Sequence, residues 1–433
     1  MENNIKNRPQ KKKKTKLIVS LITVLVVLIS FVGGYFFRYL IEKKEVTVTS
    51  DLVRIIENFG YVFDPKTGEM RELTESDYAD VLVNGLLDEY SAYYDEQEYE
   101  ALKQKRKGNY SGYGFSIYTE SNIIYGVTGN SPAELVGLKA GDKIISANID
   151  GGEPITIIKA TDLTSLIATG TENSVLNLTV DRDGEFSGKS FSFSAYDFTA
   201  SYVSYYDSEM RFVFRADNDG LKGVSDSSER MSVLSADTAY IKLDHFEGGA
   251  ANQLKKALDF MKERGRTKLI LDLRGNGGGY MDVLTEVASY LIYNNGKKNT
   301  AVARVESKTG SETYSFKKSN FYENIEEIAV LANSDTASAS ECLIGAMLTY
   351  GDRFNKDNLI IEKNADGVAR TYGKGIMQTT YWLLKGGAFK LTTARMLWPD
   401  KTTCIHGVGI IAEGANATEK GNSAILRAVE VLS

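Results

Sequence analysis

"KLILDLRGNGGG", residues 268–279, combines a run too apolar for a half-exposed strand with a loop almost without side chains. Leu269, Ile270, Leu271 and Leu273 fall on both faces of any strand they form, as in a parallel strand covered on both sides. The flanking sequence alternates in the same way. "TAYIKLDHF" (238–246) reads as a strand, "GGAANQLKKALDFMKERG" (248–265) as a helix, "YMDVLTEVASYLIY" (280–293) as a helix and "EEIAVLAN" (326–333) as a strand. Strands alternating with helices predict an α/β core over residues 236–433 with a largely parallel sheet, whose ligands gather at the strands' carboxyl ends.

Two unusual segments fall at such ends. One is the glycine loop itself. The other is "NSDTASASE" (333–341), in which small and hydroxyl residues alternate just before the apolar helix "ECLIGAMLTY". A polar loop capping a helix would account for the composition. The position allows more: Ser338 stands where a strand turns into a helix, so its hydroxyl faces the helix's positive end and the N–H of Ala339 is free. An exposed hydroxyl beside an oxyanion donor is what acyl transfer requires. The glycines at 275–279 let a second stretch of backbone approach a bound carbonyl. A phosphate loop is excluded, since no Lys-Ser/Thr pair follows them and Tyr280 stands where G-x-G-x-x-G needs glycine. For a base, the residues offer His245, His406 or Lys374, the last between two glycines in "YGKGIMQ" (372–378) with Gln378 four residues on. A lysine serves only if burial lowers its pKa.

The 433 residues carry 51 Lys and Arg against 57 Asp and Glu, a net charge of −6 with no basic face beyond the N-terminus, which argues against nucleic acid as partner. The two cysteines, Cys342 and Cys404, form neither a disulfide framework nor a metal-ligand spacing, and no metal or other cofactor is expected. At the N-terminus, a basic tail (1–16) with "RPQKKKKTK" precedes 21 uncharged residues, "LIVSLITVLVVLISFVGGYFF" (17–37). That run is long enough to cross a bilayer and lacks a small-residue cleavage site, so it predicts an uncleaved transmembrane anchor. The preceding lysines put the N-terminus in the cytoplasm and the rest of the chain outside the cell membrane.

Residues 45–107 predict a helical segment, capped at Thr74 or Ser76, with Tyr78, Val81, Leu82, Leu86 and Leu87 on one face. Residues 108–198 change to short β runs broken by Gly, Asn and Asp. Residues 199–235 are polar apart from "MRFVFRA" (210–216) and read as a hairpin or linker. The fold class is therefore multi-domain α+β: an anchor, a helical segment, a β-rich domain and an α/β core.

Two resemblances sharpen this reading. "GYGFSI" (112–117) followed by "SPAELVGLKAGDKIISANIDG" (131–151) resembles a PDZ domain. The resemblance implies that Gly112, Tyr113, Gly114 and Phe115 receive a peptide's terminal carboxylate while the peptide adds to the sheet edge. "KLILDLRGNGGG", "NSDTASASE" and "YGKGIMQ", in that order, resemble the C-terminal processing peptidases, or tail-specific proteases. The match extends to "GLLDEYSAYYDEQEY" (85–99) and "FKLTTARMLWPDKTTCIHGVGI" (389–410) and covers residues 50–415. It implies a Ser-Lys serine protease with Ser338 as nucleophile, Lys374 as base, Gln378 orienting it, and the N–H groups of Ala339 and of Gly278 or Gly279 holding the oxyanion.

The expected partners are proteins with free C-terminal tails and the membrane, and a homo-oligomer is allowed for. An inactive PDZ-bearing scaffold is the competing reading, set against the joint presence of Ser338, Lys374 and Gln378. The polar stretch 199–235 favours a PDZ domain that moves to gate the site over one that only tethers the substrate. The sequence departs from the family pattern in the longer segment "NKDNLIIEKNADGVART" (355–371), in Thr349 where an acid is usual, and in the length of 199–235.

Overall fold

The computed structural model describes Val32, Val53 and residues 71–433, except 172, 183–184, 218–219, 294–298, 318–319, 352 and 385. The expected anchor at 17–37 lies outside the described residues apart from Val32. Among the described residues no helix is long and apolar enough to cross a membrane. The chain divides into a unit ending at Val81 and a second from Leu82 to Ser433. Thr74 caps the helix Glu75–Leu86: its hydroxyl accepts the N–H of Asp77, and the Asp77 carboxylate accepts the N–H of Thr74 and pairs with Arg71.

The second unit is organised on an eight-stranded sheet. Its strands are β1 (Val203–Tyr206), β2 (Arg211–Asp217), β3 (Gly220–Asp226), β4 (Thr238–Leu243), β5 (Lys268–Asp272), β6 (Glu327–Ala332), β7 (Leu359–Glu362) and β8 (Ala417–Thr418), in the spatial order β3-β2-β1-β4-β5-β6-β7-β8. The pairings from β4 to β8 are parallel, and those from β4 to β3 are antiparallel.

The period-2 alternation of β5 explains its apolar run. Leu269 and Leu271 pack on one face with α1 (Ala250–Glu263), α2 (Met281–Leu291) and α3 (Ala339–Tyr350). Ile270 packs on the other with Leu331, Ile360 and α4 (Asn422–Val431). Both faces are covered, so Leu269, Ile270 and Leu271 occupy positions that tolerate no charge, and the charges stand at the ends, Lys268 and Asp272. That carboxylate is buried at the strand's end, where the Arg274 guanidinium meets it at 2.6 Å and also reaches Glu362 at 2.5 Å.

Residues 199–235, expected as a hairpin or polar linker, supply β1 to β3, of which β2 and β3 pair antiparallel. Tyr202, Val203, Tyr205 and Phe214 belong to the main core. The stretch reads as polar because its outer strand β3 is largely exposed. The stretch inferred to act as a hinge is paired into the main sheet.

The β-rich unit at 108–198 has its own core of Ile124, Leu138, Ile144, Leu163, Leu176 and Leu178. Its largest sheet runs Ile155–Thr156, Lys143–Ile149, Val175–Arg182, Glu185–Ser194. It is joined to the α/β core through the bridge between Gly129 and Ser201 and through Glu134, which pairs with Arg211 at 3.1 Å and Arg215 at 2.8 Å.

A second five-stranded sheet carries the remaining site elements. Ala92–Tyr94 pairs with Ala388–Leu397, which also pairs with Thr300–Ser307 and with Ile376–Trp382.

Candidate active site

The glycine loop leaves β5 and the Ser338 turn leaves β6, adjacent parallel strands, so both arrive at the same edge of the sheet. Asn276, fully buried, joins them. Its side chain donates to Leu243 O (2.8 Å), and its carbonyl accepts from Ala337 N (3.0 Å) and Ser340 Oγ (2.9 Å). Thr336 Oγ1 donates to Leu273 O at 2.8 Å. Thr336 and Ser340 are therefore buried struts, each committed to a backbone carbonyl. Ser338 between them is half-buried and has φ +57°, a left-handed conformation that costs a residue with a Cβ of order 1–3 kcal/mol and marks a functional constraint.

Gly278 lies against this turn. A Cβ there would meet Ala337 O and Ser338 Cβ at 2.8 Å and Ala339 N at 2.9 Å, so the close approach requires glycine. Of the two glycines expected to offer an oxyanion donor, Gly278 gives its N–H to Asn276 Oδ1 at 2.9 Å. The N–H groups of Gly279 and Ala339 have no hydrogen-bond acceptor among the described residues. Gly279 sits in a parallel bridge to Phe246 that uses its neighbours' groups (Phe246 N to Gly278 O, Tyr280 N to Phe246 O), and Ala339 opens a helix.

Lys374 is brought to the same place by the longer segment 355–371. It contains β7 and then returns through bridges Lys363–Ala369 and Arg370–Ile411. The glycines beside the lysine are required by packing: a Cβ on Gly373 would lie 2.8 Å from Gly409 N, and one on Gly375 would lie 2.6 Å from His406 N.

The residue that joins the two loops is Glu341, a position the sequence reading quotes without a role. It is fully buried. Its carboxylate accepts four hydrogen bonds: from Ser338 N (2.8 Å), Thr371 Oγ1 (2.5 Å), Gly373 N (2.8 Å) and Lys374 N (2.9 Å). The backbones of the serine and the lysine thus share one carboxylate. Burial raises the Glu341 pKa above the ordinary range, against the pull of those donors. The signal in the sequence is the glutamate three residues after a helix-capping serine, the pattern of a capping box.

The Lys374 amine is half-buried, and desolvation lowers its pKa, helped by the charge of Lys390 and opposed by Asp88 and Glu89. It makes no hydrogen bond to Ser338 or Gln378. Instead Nζ lies 4.6 Å from the centroid of the Tyr90 ring, and Gln378 Nε2 donates to Thr392 Oγ1 at 3.0 Å. His245 and His406 are both exposed. Thr349 donates to Gly345 O at 2.7 Å within its own helix. A cavity of about 790 Å³ opens beside the lysine loop, bordered by Asp88, Tyr90, Asp335, Arg370 and His406.

In the β-rich unit, Gly114 has φ +78°, and a Cβ on it would overlap the Ser131 side chain. Its carbonyl accepts from Thr128 N and Ser131 Oγ, while the N–H groups of Tyr113 and Gly114 have no acceptor among the described residues. Tyr113 and Phe115 pack edge-on to Phe193 at 5.6 and 6.2 Å. Gly112 pairs with Tyr196 at the end of a two-stranded ladder.

Residues 237–413 match the model of Peptidase family S41. A probable CtpA-like serine protease of Staphylococcus saprophyticus is 28% identical over 340 residues, covering 76% of this chain and 58% of that protein. One from Staphylococcus aureus strain COL is 26% identical over 426 residues, covering 94% and 74%. The chain thus spans under two thirds of the length of the first of these relatives. Among solved structures, the photosystem II D1 C-terminal processing protease aligns over 84% of this chain and 85% of its own, with a TM-score of 0.48 and 20% identity.

Proposed function

We propose that the chain, whose residues 237–413 match the model of Peptidase family S41, is a membrane-anchored serine endopeptidase that cleaves proteins near their C-terminal tails with a Ser338–Lys374 dyad. The observation that carries the reading is the Glu341 carboxylate, which holds the backbones of Ser338 and Lys374 together beside the unclaimed N–H groups of Ala339 and Gly279.

In this reading the neutral Lys374 amine takes the Ser338 hydroxyl proton as Oγ attacks the scissile carbonyl carbon. The oxyanion forms at the N–H groups of Ala339 and Gly279. The protonated lysine then gives its proton to the leaving amine, and water resolves the acyl-enzyme by the same route. Gln378 would orient the lysine after leaving Thr392. Residues 112–115 act as the carboxylate-binding loop of a PDZ domain, with Phe115 bordering a pocket for an apolar terminal residue. Because 199–235 is built into the sheet, tethering is favoured over a hinged gate. Residues 17–37 anchor the chain with its N-terminus in the cytoplasm.

The test is to incubate the full chain, in detergent or lipid, with an unstructured protein ending in apolar residues, beside a Ser338→Ala copy. Cleavage by the wild type alone supports the reading. An uncut substrate that still binds both copies would support the scaffold.

A further inference from the structure

The segment 88–91 lies across the lysine loop without belonging to the dyad. It is fixed from two sides: Ser91 Oγ accepts Thr392 N at 3.2 Å and donates to Asp88 Oδ1 at 2.8 Å, and the following strand pairs Ala92 with Lys390. The Tyr90 hydroxyl shares a hydrogen bond of 3.0 Å with Tyr372, two residues before Lys374. These contacts hold the ring so that its face meets the Lys374 ammonium at 4.6 Å from the centroid. Thr392, on the strand that carries Lys390, also accepts a hydrogen bond from Gln378.

We propose that Tyr90 is a positioning residue for the base, a platform whose ring face holds the protonated Lys374 between turnovers and from which the amine must depart to reach Ser338. The inference rests on the reading of Lys374 as base. An aromatic face attracts an ammonium and not a neutral amine. Tyr90 therefore favours the charged resting form, against the desolvation that lowers the Lys374 pKa. The other charged groups acting on the amine are Lys390 on the adjoining strand and Asp88 and Glu89 on Tyr90's own segment, while the Tyr372 hydroxyl is bonded to Tyr90 and His406 borders the cavity that Tyr90 lines. Of these the Tyr372 hydroxyl loses a partner in a Tyr90 variant, and it does so equally in Tyr90→Phe and Tyr90→Leu.

The test compares Tyr90→Phe, which keeps the ring, with Tyr90→Leu, which keeps apolar bulk and removes the π face. In the full chain, competitive acetylation by acetic anhydride across pH, read by mass spectrometry on the Lys374 peptide, titrates the amine without reference to activity. Tyr90→Leu is expected to move the midpoint down by about half to one pH unit, leaving about three to ten times more neutral amine below it. Tyr90→Phe is expected to titrate like the wild type. The alkaline limb of kcat/KM should move with the midpoint. If Leu does not fold, Tyr90→Met repeats the comparison. A midpoint unmoved or raised in the Leu or Met variant, or moved equally in Phe, overturns the platform. A chain whose Lys374 titrates as expected but that cuts no substrate would overturn the protease reading and leave the platform standing.

Discussion

Ser338 and Lys374 differ from the other serines and lysines of the site in what their neighbours do. Thr336 and Ser340 donate to backbone carbonyls, whereas Ser338 is held in a strained, left-handed conformation at a helix start. Nucleophile and base act as one unit, so Ser338→Ala and Lys374→Ala should each abolish peptide cleavage and the double variant should be no worse. His245→Ala and His406→Ala, changing exposed side chains, should keep most of it; a folded histidine variant as inactive as Ser338→Ala would remove lysine from the role of base. The Lys374 pKa is depressed by burial, and in the proposed dyad the neutral amine is the working form. Activity should therefore rise toward alkaline pH, with a midpoint below the ordinary lysine value of about 10.4. A kcat/KM profile flat between pH 6 and 10, measured on short peptides, would contradict this.

The turn after β6, the glycine loop after β5 and the lysine loop after β7 are locked by Glu341 and Asn276, and the lock is where stability and chemistry meet. Glu341→Ala leaves four donors without their acceptor inside the fold. It should destabilise the chain by about 2–4 kcal/mol, given that an unsatisfied buried group costs about 1–3 kcal/mol and the others relax in part; the midpoint of denaturant unfolding measures it. Gly278→Ala forces a Cβ against the backbone of Ala337 and should lose activity through displacement of the Ser338 turn. A Gly278→Ala chain with wild-type kcat would show that the two loops need not touch.

The serine strip, the glycine loop and the lysine between glycines are legible in the sequence because each carries its chemistry in contiguous residues. Glu341 is legible only as part of a capping box, and Asn276 and Tyr90 not at all, since their roles are hydrogen bonds and ring contacts to segments 32, 64 and 284 residues away. At 199–235 the run "MRFVFRA" is legible as β-like, whereas β3 is not, because an outer antiparallel strand with exposed side chains has the composition of a loop.

The β-rich unit and the α/β core join through Gly129–Ser201 and Glu134–Arg211/Arg215, which leaves little for a hinge. If residues 112–115 bind a terminal carboxylate, amidating a substrate's C-terminus should raise KM severalfold and leave kcat nearly unchanged, the sign of lost uniform binding. Equal KM for free and amidated tails would take that loop out of recognition. The proposed cleavage depends on Ser338 being made nucleophilic by Lys374. That dependence is measured by treating the full chain with a serine-directed fluorophosphonate and mapping the adduct by mass spectrometry, in the wild type and in Lys374→Ala. The account predicts one adduct, on Ser338, forming faster as pH rises and at least a hundredfold more slowly without the lysine, in line with about 10²–10⁴ for a general base. An adduct on another residue, or one on Ser338 that forms at the same rate in Lys374→Ala, would contradict it.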